Sequence, residues 1–176
     1  METTILFDMD RCVGCGACAV SCQDQNDLFP ERGLPAIRRI YQIEEGGGPS
    51  APIIRHISVS CRHCEDSPCL IGCPTGAIFH EEKTGAVRVD QARCIGCRSC
   101  AMACPFGVPR YDADDLMRKC GLCSTRLQAG FKPACVKACP FGALSLGNAN
   151  AAQGDREKRH LAKIVSSVRE ARTQGT

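Results

Sequence analysis

The sequence predicts an α+β protein of two small halves, in which short strands and short helices are organised around bound metal rather than around a large apolar core. Three observations predict this. The 176 residues include 16 cysteines, well above ordinary usage. Hydrophobic residues make up 44% only when those cysteines are counted, aromatics are 5% and tryptophan is absent, which is lean for a packed interior. Seventeen glycines and ten prolines favour turns over long helices.

The cysteines fall into four groups of four with none left over. Cys12, Cys15, Cys18 and Cys22 form the first, and Cys61, Cys64, Cys69 and Cys73 the second. Cys94, Cys97, Cys100 and Cys104 form the third, and Cys120, Cys123, Cys135 and Cys139 the fourth. Groups one and three share the spacing Cys-x2-Cys-x2-Cys-x3-Cys. Group two widens the middle gap to four residues and group four widens it to eleven. This is the bacterial ferredoxin run: three cysteines on a tight loop wrap one cubane, and the fourth, past a short helical turn, reaches the neighbouring one. Pro74, Pro105 and Pro140 end that turn in groups two, three and four, whereas group one has Gln23. Gly14 and Gly96 sit between ligands, where the backbone approaches sulfur and a positive φ is expected. Zinc sites need only Cys-x2-Cys pairs across longer gaps, not complete quartets. A disulfide framework is a poor reading without a secretory signal.

Taken in order, the elements follow from this frame. Ile5–Phe7 and Ala86–Val89 are apolar runs that enter groups one and three as strands. They precede matching segments, Asp8–Cys15 and Asp90–Cys97, in which Asp8 and Asp90 hold one repeat position and cap a turn. Residues 23–60 are the longest insertion, with strands expected at Ile37–Ile43 and Ile53–Val59 around a turn at Gly46–Ser50. Ala77–His80 and Ala86–Val89 flank Glu81–Gly85 as a hairpin. Asn148–Gly154 reads as a linker. Asp155–Arg172 reads as a helix with Leu161, Ile164, Val165 and Val168 on one face, packed on its own domain or docked on a partner.

Several functions are excluded. No stretch approaches the roughly 18 apolar residues of a membrane span. No basic start with an apolar run precedes Cys12, so a cytoplasmic protein, or one exported with a partner, is expected. A net charge of +3 is too small to argue for nucleic acid. The string Gly14-x-Gly16-x-x-Ala19 mimics a dinucleotide fingerprint, but the cysteines inside it explain its glycines. His56, His63, His80 and His160 are not expected to be ligands, because no cysteine is missing. No nucleophile–base set or paired acid stands out, so catalytic residues are not expected. Arg11, Arg93, Arg98 and Lys119 lie near the loops, where solvated charges or tuning of cluster potential are the two readings.

The run from Cys12 to Leu146 resembles the four-cluster, ferredoxin-like iron–sulfur subunits of molybdenum- and tungsten-pterin oxidoreductases. These serve formate dehydrogenases, dimethyl sulfoxide, polysulfide and nitrate reductases, hydrogenlyase-type complexes and tungsten aldehyde oxidoreductases. The resemblance implies four 4Fe–4S clusters held in a nested pairing. Cys61, Cys64, Cys69 and Cys104 would hold one, and Cys94, Cys97, Cys100 and Cys73 its neighbour. Cys12, Cys15, Cys18 and Cys139 would hold a third, and Cys120, Cys123, Cys135 and Cys22 the fourth. Residues 1–30 with 113–147 would then form one half and 61–112 the other, with 31–60 an inserted hairpin and 148–176 a linker and docking helix. A sequential pairing, group one with two and three with four, is also compatible with the spacing. Some relatives lack a cysteine in group three and carry a 3Fe cluster; Cys100 stands there in this chain.

The implied function is a one-electron relay without catalysis of its own, in a hetero-oligomer. One partner would be a molybdenum- or tungsten-pterin catalytic subunit, with a tungsten aldehyde oxidoreductase as the leading candidate and formate dehydrogenase or hydrogenlyase next. A flavin/NAD subunit, a hydrogenase subunit or a soluble ferredoxin would be the other. A free polyferredoxin is the alternative. The loop between Cys123 and Cys135, with Arg126, Lys132 and Pro133, or the tail, is expected to touch the partner. Each oxidised cubane with four thiolates carries roughly −2, so the loaded chain would be net acidic despite its formal +3. Metal binding would supply the folding free energy that the thin core lacks.

Overall fold

A computed structural model describes residues 3–46 and 52–148, together with Leu161. The expected turn beyond Gly46, and the expected linker and C-terminal helix apart from Asn148 and Leu161, lie outside the described residues. The described fold is α+β: short antiparallel strand pairs alternate with helices of four to nine residues.

The first strand, β1 (Thr3–Phe7), pairs with the last, β8 (Leu144–Asn148), in the register Thr3↔Asn148 to Phe7↔Leu144. Side chains two apart share one face of a strand. Ile5 and Leu144 are thereby buried in one core with Cys18, Ala86, Leu122 and Cys135, and Phe7 and Leu146 pack against it. The hairpin expected around Glu81–Gly85 is present as β4 (Ile78–His80) and β5 (Val87–Val89), closed by Glu81 N–H donating to the Ala86 carbonyl. Its Ile78 and Val87 form a second core with Cys100 and Met117.

The insertion forms a hairpin of β2 (Arg39–Glu45) and β3 (Ile53–Val59), which begins pairing at Arg39↔Val59. The expected strand from Ile37 starts two residues late. Ile37 and Arg38 are both buried, and two adjacent inward side chains break the alternation a paired strand requires. Ile37 joins Cys22 and Leu28 in a third core.

Residues 110–118 carry β6 (Arg110–Tyr111) and β7 (Met117–Arg118), paired across a turn that Asp112 organises. Its carboxylate accepts from Asp114 N–H, Leu116 N–H and Arg118 Nε, at 3.1, 2.9 and 2.7 Å. Burial would raise this carboxyl, but Arg118 and the two amides outweigh it and hold it below the usual range. The boundary expected at residue 113 falls within this hairpin, and Met117 packs with Ile78 and Val87.

The helices are short because each spans only the gap between two cysteines. In α1 (Ala17–Gln25), Cys18 and Cys22 lie one turn apart, and Asn26 ends the helix by donating its side-chain amide to the Cys22 carbonyl at 2.7 Å. Cys69 lies in α2 (Pro68–Ile71), and Cys100 in α3 (Ser99–Ala103). The long gap of group four holds α4 (Ser124–Gln128) before Cys135 enters α5 (Ala134–Lys137). Helix α1 packs on α5, and α2 packs on α3. The repeat position behaves as expected: Asp8 Oδ1 accepts from Asp10 N–H and Asp90 Oδ1 from Ala92 N–H, at 3.1 and 3.0 Å. Among the described residues no helix is long and apolar enough to cross a membrane.

Candidate iron–sulfur centres

All sixteen cysteines are free thiols, and eight of them line two cavities. Cys12, Cys15 and Cys18 line one cavity together with Cys139, walled by Phe7, Ile40, Phe141 and Leu144. Cys94, Cys97 and Cys100 line another together with Cys73, walled by Ile78, Val89, Tyr111 and Met117. The two cavities are alike in extent, about 330 and 320 Å³ of empty space with open solvent included. Cys120, Cys123 and Cys135 lie close enough to Cys22 to raise its thiol, after burial itself, which acts most strongly. Cys64 is raised by burial and then by Cys61 and Cys104; Cys69 responds to the same two. Among the described residues no three His, Cys, Asp or Glu side chains are grouped as for a single metal ion; the sulfurs ring a space instead.

One turn recurs in all four groups. The residue two positions after the first cysteine has positive φ: Gly14 at 72°, His63 at 51°, Gly96 at 67° and Leu122 at 59°. The expectation for Gly14 and Gly96 holds, and groups two and four impose the same turn on side chains that disfavour it. The turn aims a backbone N–H at sulfur: His63 N–H donates to Cys61 Sγ and Leu122 N–H to Cys120 Sγ, both at 3.4 Å. Bulky residues are held there by burial, Leu122 being wholly inaccessible. At Gly96 no substitute fits. A Cβ would stand 2.8 Å from the Asp115 carbonyl oxygen on the β6–β7 turn. Gly96→Ala is expected to destabilise this loop by at least about 1–2 kcal/mol from backbone strain alone. Iron analysis should then show selective loss of one cluster, with unchanged iron content arguing against a tight loop.

The donor set suits iron–sulfur cubanes. Burial pushes the thiols of Cys69 and Cys135 up to about 11, despite the opposing charges of Lys119 and Arg38. Such thiols keep their protons at neutral pH until metal displaces them. Among the described residues two buried side-chain donors are without partners, Arg38 Nε and His63 Nε2. His63 Nδ1 accepts from Val87 N–H at 3.1 Å, so its proton sits on Nε2. Burial first, then Lys119 and Arg38, lower this imidazole to about 3, and it stays neutral. Other donors reach the third group. The Tyr111 hydroxyl lies 3.2 Å from Cys100 Sγ, and Met117 N–H donates to Cys94 Sγ at 3.5 Å. Hydrogen bonds to cluster sulfurs favour the reduced form.

The charged candidates divide. Arg11, Arg93 and Arg98 are exposed, whereas Lys119 is buried. Arg38 went unnoticed in the sequence. Its signal was the pair Arg38-Arg39 between Ile37 and Ile40, where an alternating strand cannot place both cations in water. In the group-four loop Pro133 is buried, Lys132 is exposed, and Arg126 is tied to Gln25 Oε1 at 2.9 Å and to the Lys132 carbonyl at 3.0 Å.

Comparison with known proteins agrees with this chemistry. Residues 54–149 match the model of the 4Fe-4S dicluster domain and residues 5–25 that of the 4Fe-4S binding domain. The protein is 43% identical over 149 residues to the B polypeptide of the anaerobic dimethyl sulfoxide reductase of Escherichia coli, covering 80% of this sequence and 71% of that one. It is also 43% identical over 149 residues to the thiosulfate reductase electron transfer subunit PhsB of Salmonella typhi, covering 83% and 76%. The B polypeptide of the sulfite dehydrogenase of Allochromatium vinosum is 37% identical over 166 residues, covering 84% and 69%. The sixteen cysteines serve four 4Fe–4S clusters. The chain therefore belongs to the iron–sulfur electron-transfer subunits of molybdenum-pterin oxidoreductases, and its role is to conduct electrons rather than to catalyse.

Proposed function

We propose that the protein relays single electrons through four clusters in a row, between a pterin-bearing catalytic subunit and a second redox partner. The clusters would be held by Cys12/Cys15/Cys18/Cys139, Cys120/Cys123/Cys135/Cys22, Cys61/Cys64/Cys69/Cys104 and Cys94/Cys97/Cys100/Cys73. The observation that supports the row is the electrostatic influence of each set on the next. Cys18 acts on Cys135, Cys120 on Cys61, and Cys100 on Cys69, so each set adjoins the next. Both ends reach the surface, where Cys15 and Cys97 are exposed.

The two-halves reading draws on the same arrangement. Groups one and four share the β1–β8 sheet and the α1–α5 contact, while groups two and three share β4–β5 and α2–α3. Arg11 also leans on Gly142 as Arg93 leans on Gly76, the same relation in each pair. We assign residues 3–30 with 119–148 to one half, 61–118 to the other, and 31–60 to an insertion between them. When bound, the cubanes supply the electron-accepting centres. The chain keeps them apart from bulk water, donates N–H and O–H bonds to their sulfurs, and sets where they open to partners.

The relatives' names bear on the catalytic partner: dimethyl sulfoxide, thiosulfate and sulfite are their substrates. They favour a molybdenum-pterin enzyme acting on a sulfur compound, and the tungsten aldehyde oxidoreductase expected from the sequence draws no support from them. The second partner, a flavin/NAD or hydrogenase subunit or a soluble ferredoxin, and any docking by the tail remain part of the proposal. A cytoplasmic location is likewise part of the proposal. Anaerobic native purification of the tagged protein tests the reading. A large pterin-containing subunit should accompany it and about sixteen irons per chain should be recovered. Recovery of a loaded chain alone, exchanging electrons with several unrelated enzymes, would favour a free polyferredoxin instead.

A further inference from the structure

Two cations inside this protein have no anion among the described side chains. Arg38 is 2% exposed and Lys119 is 8% exposed. The ion pairs among the described residues engage Arg55, Arg88, Arg98 and Arg118, and neither buried cation. Arg38 instead donates through its two terminal nitrogens to the hydroxyls of Ser58 and Ser60, at 2.7 and 2.5 Å, and its Nε has no partner. The Ser58 hydroxyl in turn lies 3.6 Å from Cys18 Sγ. Lys119 Nζ donates to the Val87 carbonyl, to the Cys120 carbonyl at 3.1 Å, and to Cys61 Sγ at 3.9 Å. A guanidinium or ammonium is not buried without a compensating negative charge. What these two face is cysteine: Arg38 acts on Cys22, Cys120 and Cys135, and Lys119 on Cys61, Cys69 and Cys120.

We propose that Arg38 and Lys119 are built-in counter-charges of the two inner clusters, those of groups two and four, and hold their reduction potentials above the value burial alone would give. This rests on the ligand assignment proposed above. The physical reason is one of sign. A thiolate-bound cubane is already an anion, and an arriving electron adds to that charge. Burial disfavours the more highly charged reduced form, and a nearby permanent cation favours it. The outer clusters have water for this purpose, since Cys15 and Cys97 are exposed and the arginines near them are solvated. The inner sets have no exposed ligand: Cys22, Cys120 and Cys135 are buried, and Cys61, Cys64, Cys69, Cys104 and Cys123 are half-buried. The inserted hairpin acquires a role here, because Arg38, Ser58 and Ser60 all come from it and its two flanks.

The test uses the full chain in its native complex, with a redox titration followed by electron paramagnetic resonance. Arg38→Gln keeps hydrogen-bonding capacity and removes the charge. It should retain all irons and lower the reduction equilibrium constant of an inner cluster at least tenfold, a shift of about 59 mV for a one-electron couple. The outer midpoints should stay in place, and Arg38→Lys should recover most of the shift. Lys119→Gln should act in the same direction on the group-two cluster. Four unmoved midpoints in iron-replete Arg38→Gln and Lys119→Gln proteins would overturn the proposal, as would a shift confined to an outer cluster. If Arg38→Gln loses iron, Arg38→Lys decides. Full loading with wild-type midpoints supports the charge role, and loss of iron there too shows a packing role and overturns it. The ligand assignment is judged separately, by which signal each cysteine replacement removes.

Discussion

Iron-free protein is expected to lose its near-UV circular dichroism and its resistance to protease, and to regain both only on cluster reconstitution. The described fold contains little that would stand alone. Its sheets are two-stranded, and an isolated hairpin is marginal in water. Its helices run from four to nine residues, below the length at which helices persist by themselves. Each of its three small cores includes ligand cysteines: Cys18 and Cys135 in the first, Cys100 in the second, Cys22 in the third. Without metal, burial holds Cys22, Cys100 and Cys135 as neutral thiols, and Arg38 and Lys119 stay buried with no anion among the described side chains to face. Cysteine-bound structural metal supplies on the order of 10–16 kcal/mol in small zinc domains, comparable with the whole stability of an ordinary domain at about 5–15 kcal/mol. Removing four clusters therefore removes more than the side chains can replace. A chelated chain that keeps native dichroism and a slow, single-site digestion pattern would show that the apolar cores suffice.

Replacing single cysteines is expected to delete clusters in nested pairs of groups. Cys139→Ser should abolish the same paramagnetic signal as Cys12→Ser, and Cys22→Ser the same signal as Cys135→Ser. Likewise Cys73→Ser should match Cys94→Ser, and Cys104→Ser should match Cys61→Ser. Iron should fall from about sixteen to about twelve per chain in each case, or to a 3Fe remnant where a cluster survives. The expectation comes from the cavities, where Cys139 faces Cys12, Cys15 and Cys18, and Cys73 faces Cys94, Cys97 and Cys100. Sequential pairing gives the opposite outcome: Cys22→Ser would then match Cys61→Ser, and the nested scheme would fail.

Much of this was legible in the sequence because cysteine spacing and turn residues act locally. The quartets, the repeat at Asp8 and Asp90, and the hairpin around Glu81–Gly85 all appear where the residues place them. The hairpin around Asp112 was not legible because it joins two-residue strands, too short to leave a periodic pattern. The strand expected from Ile37 begins at Arg39 because Arg38 turns inward beside Ile37. Burial of an arginine is decided by distant cysteines, and no local rule registers them. The left-handed turns at His63 and Leu122 were hidden for a related reason. Glycine advertises such a turn, whereas tertiary packing can force it on any residue.

The pairing of β1 with β8 also fixes an order of manufacture. Thr3 and Asn148 are partners in one sheet, so β1 lacks its partner until nearly all of the described residues have left the ribosome. The segment from Ile78 to Val89 closes on itself at once. Synthesis thus completes the middle of the molecule while its beginning still waits for its end. A nascent polypeptide halted before Cys139 would leave group one without the wall that β8 and Cys139 provide. The cellular machinery that inserts iron must either wait until β8 is made or fill the sites of groups two and three before that of group one.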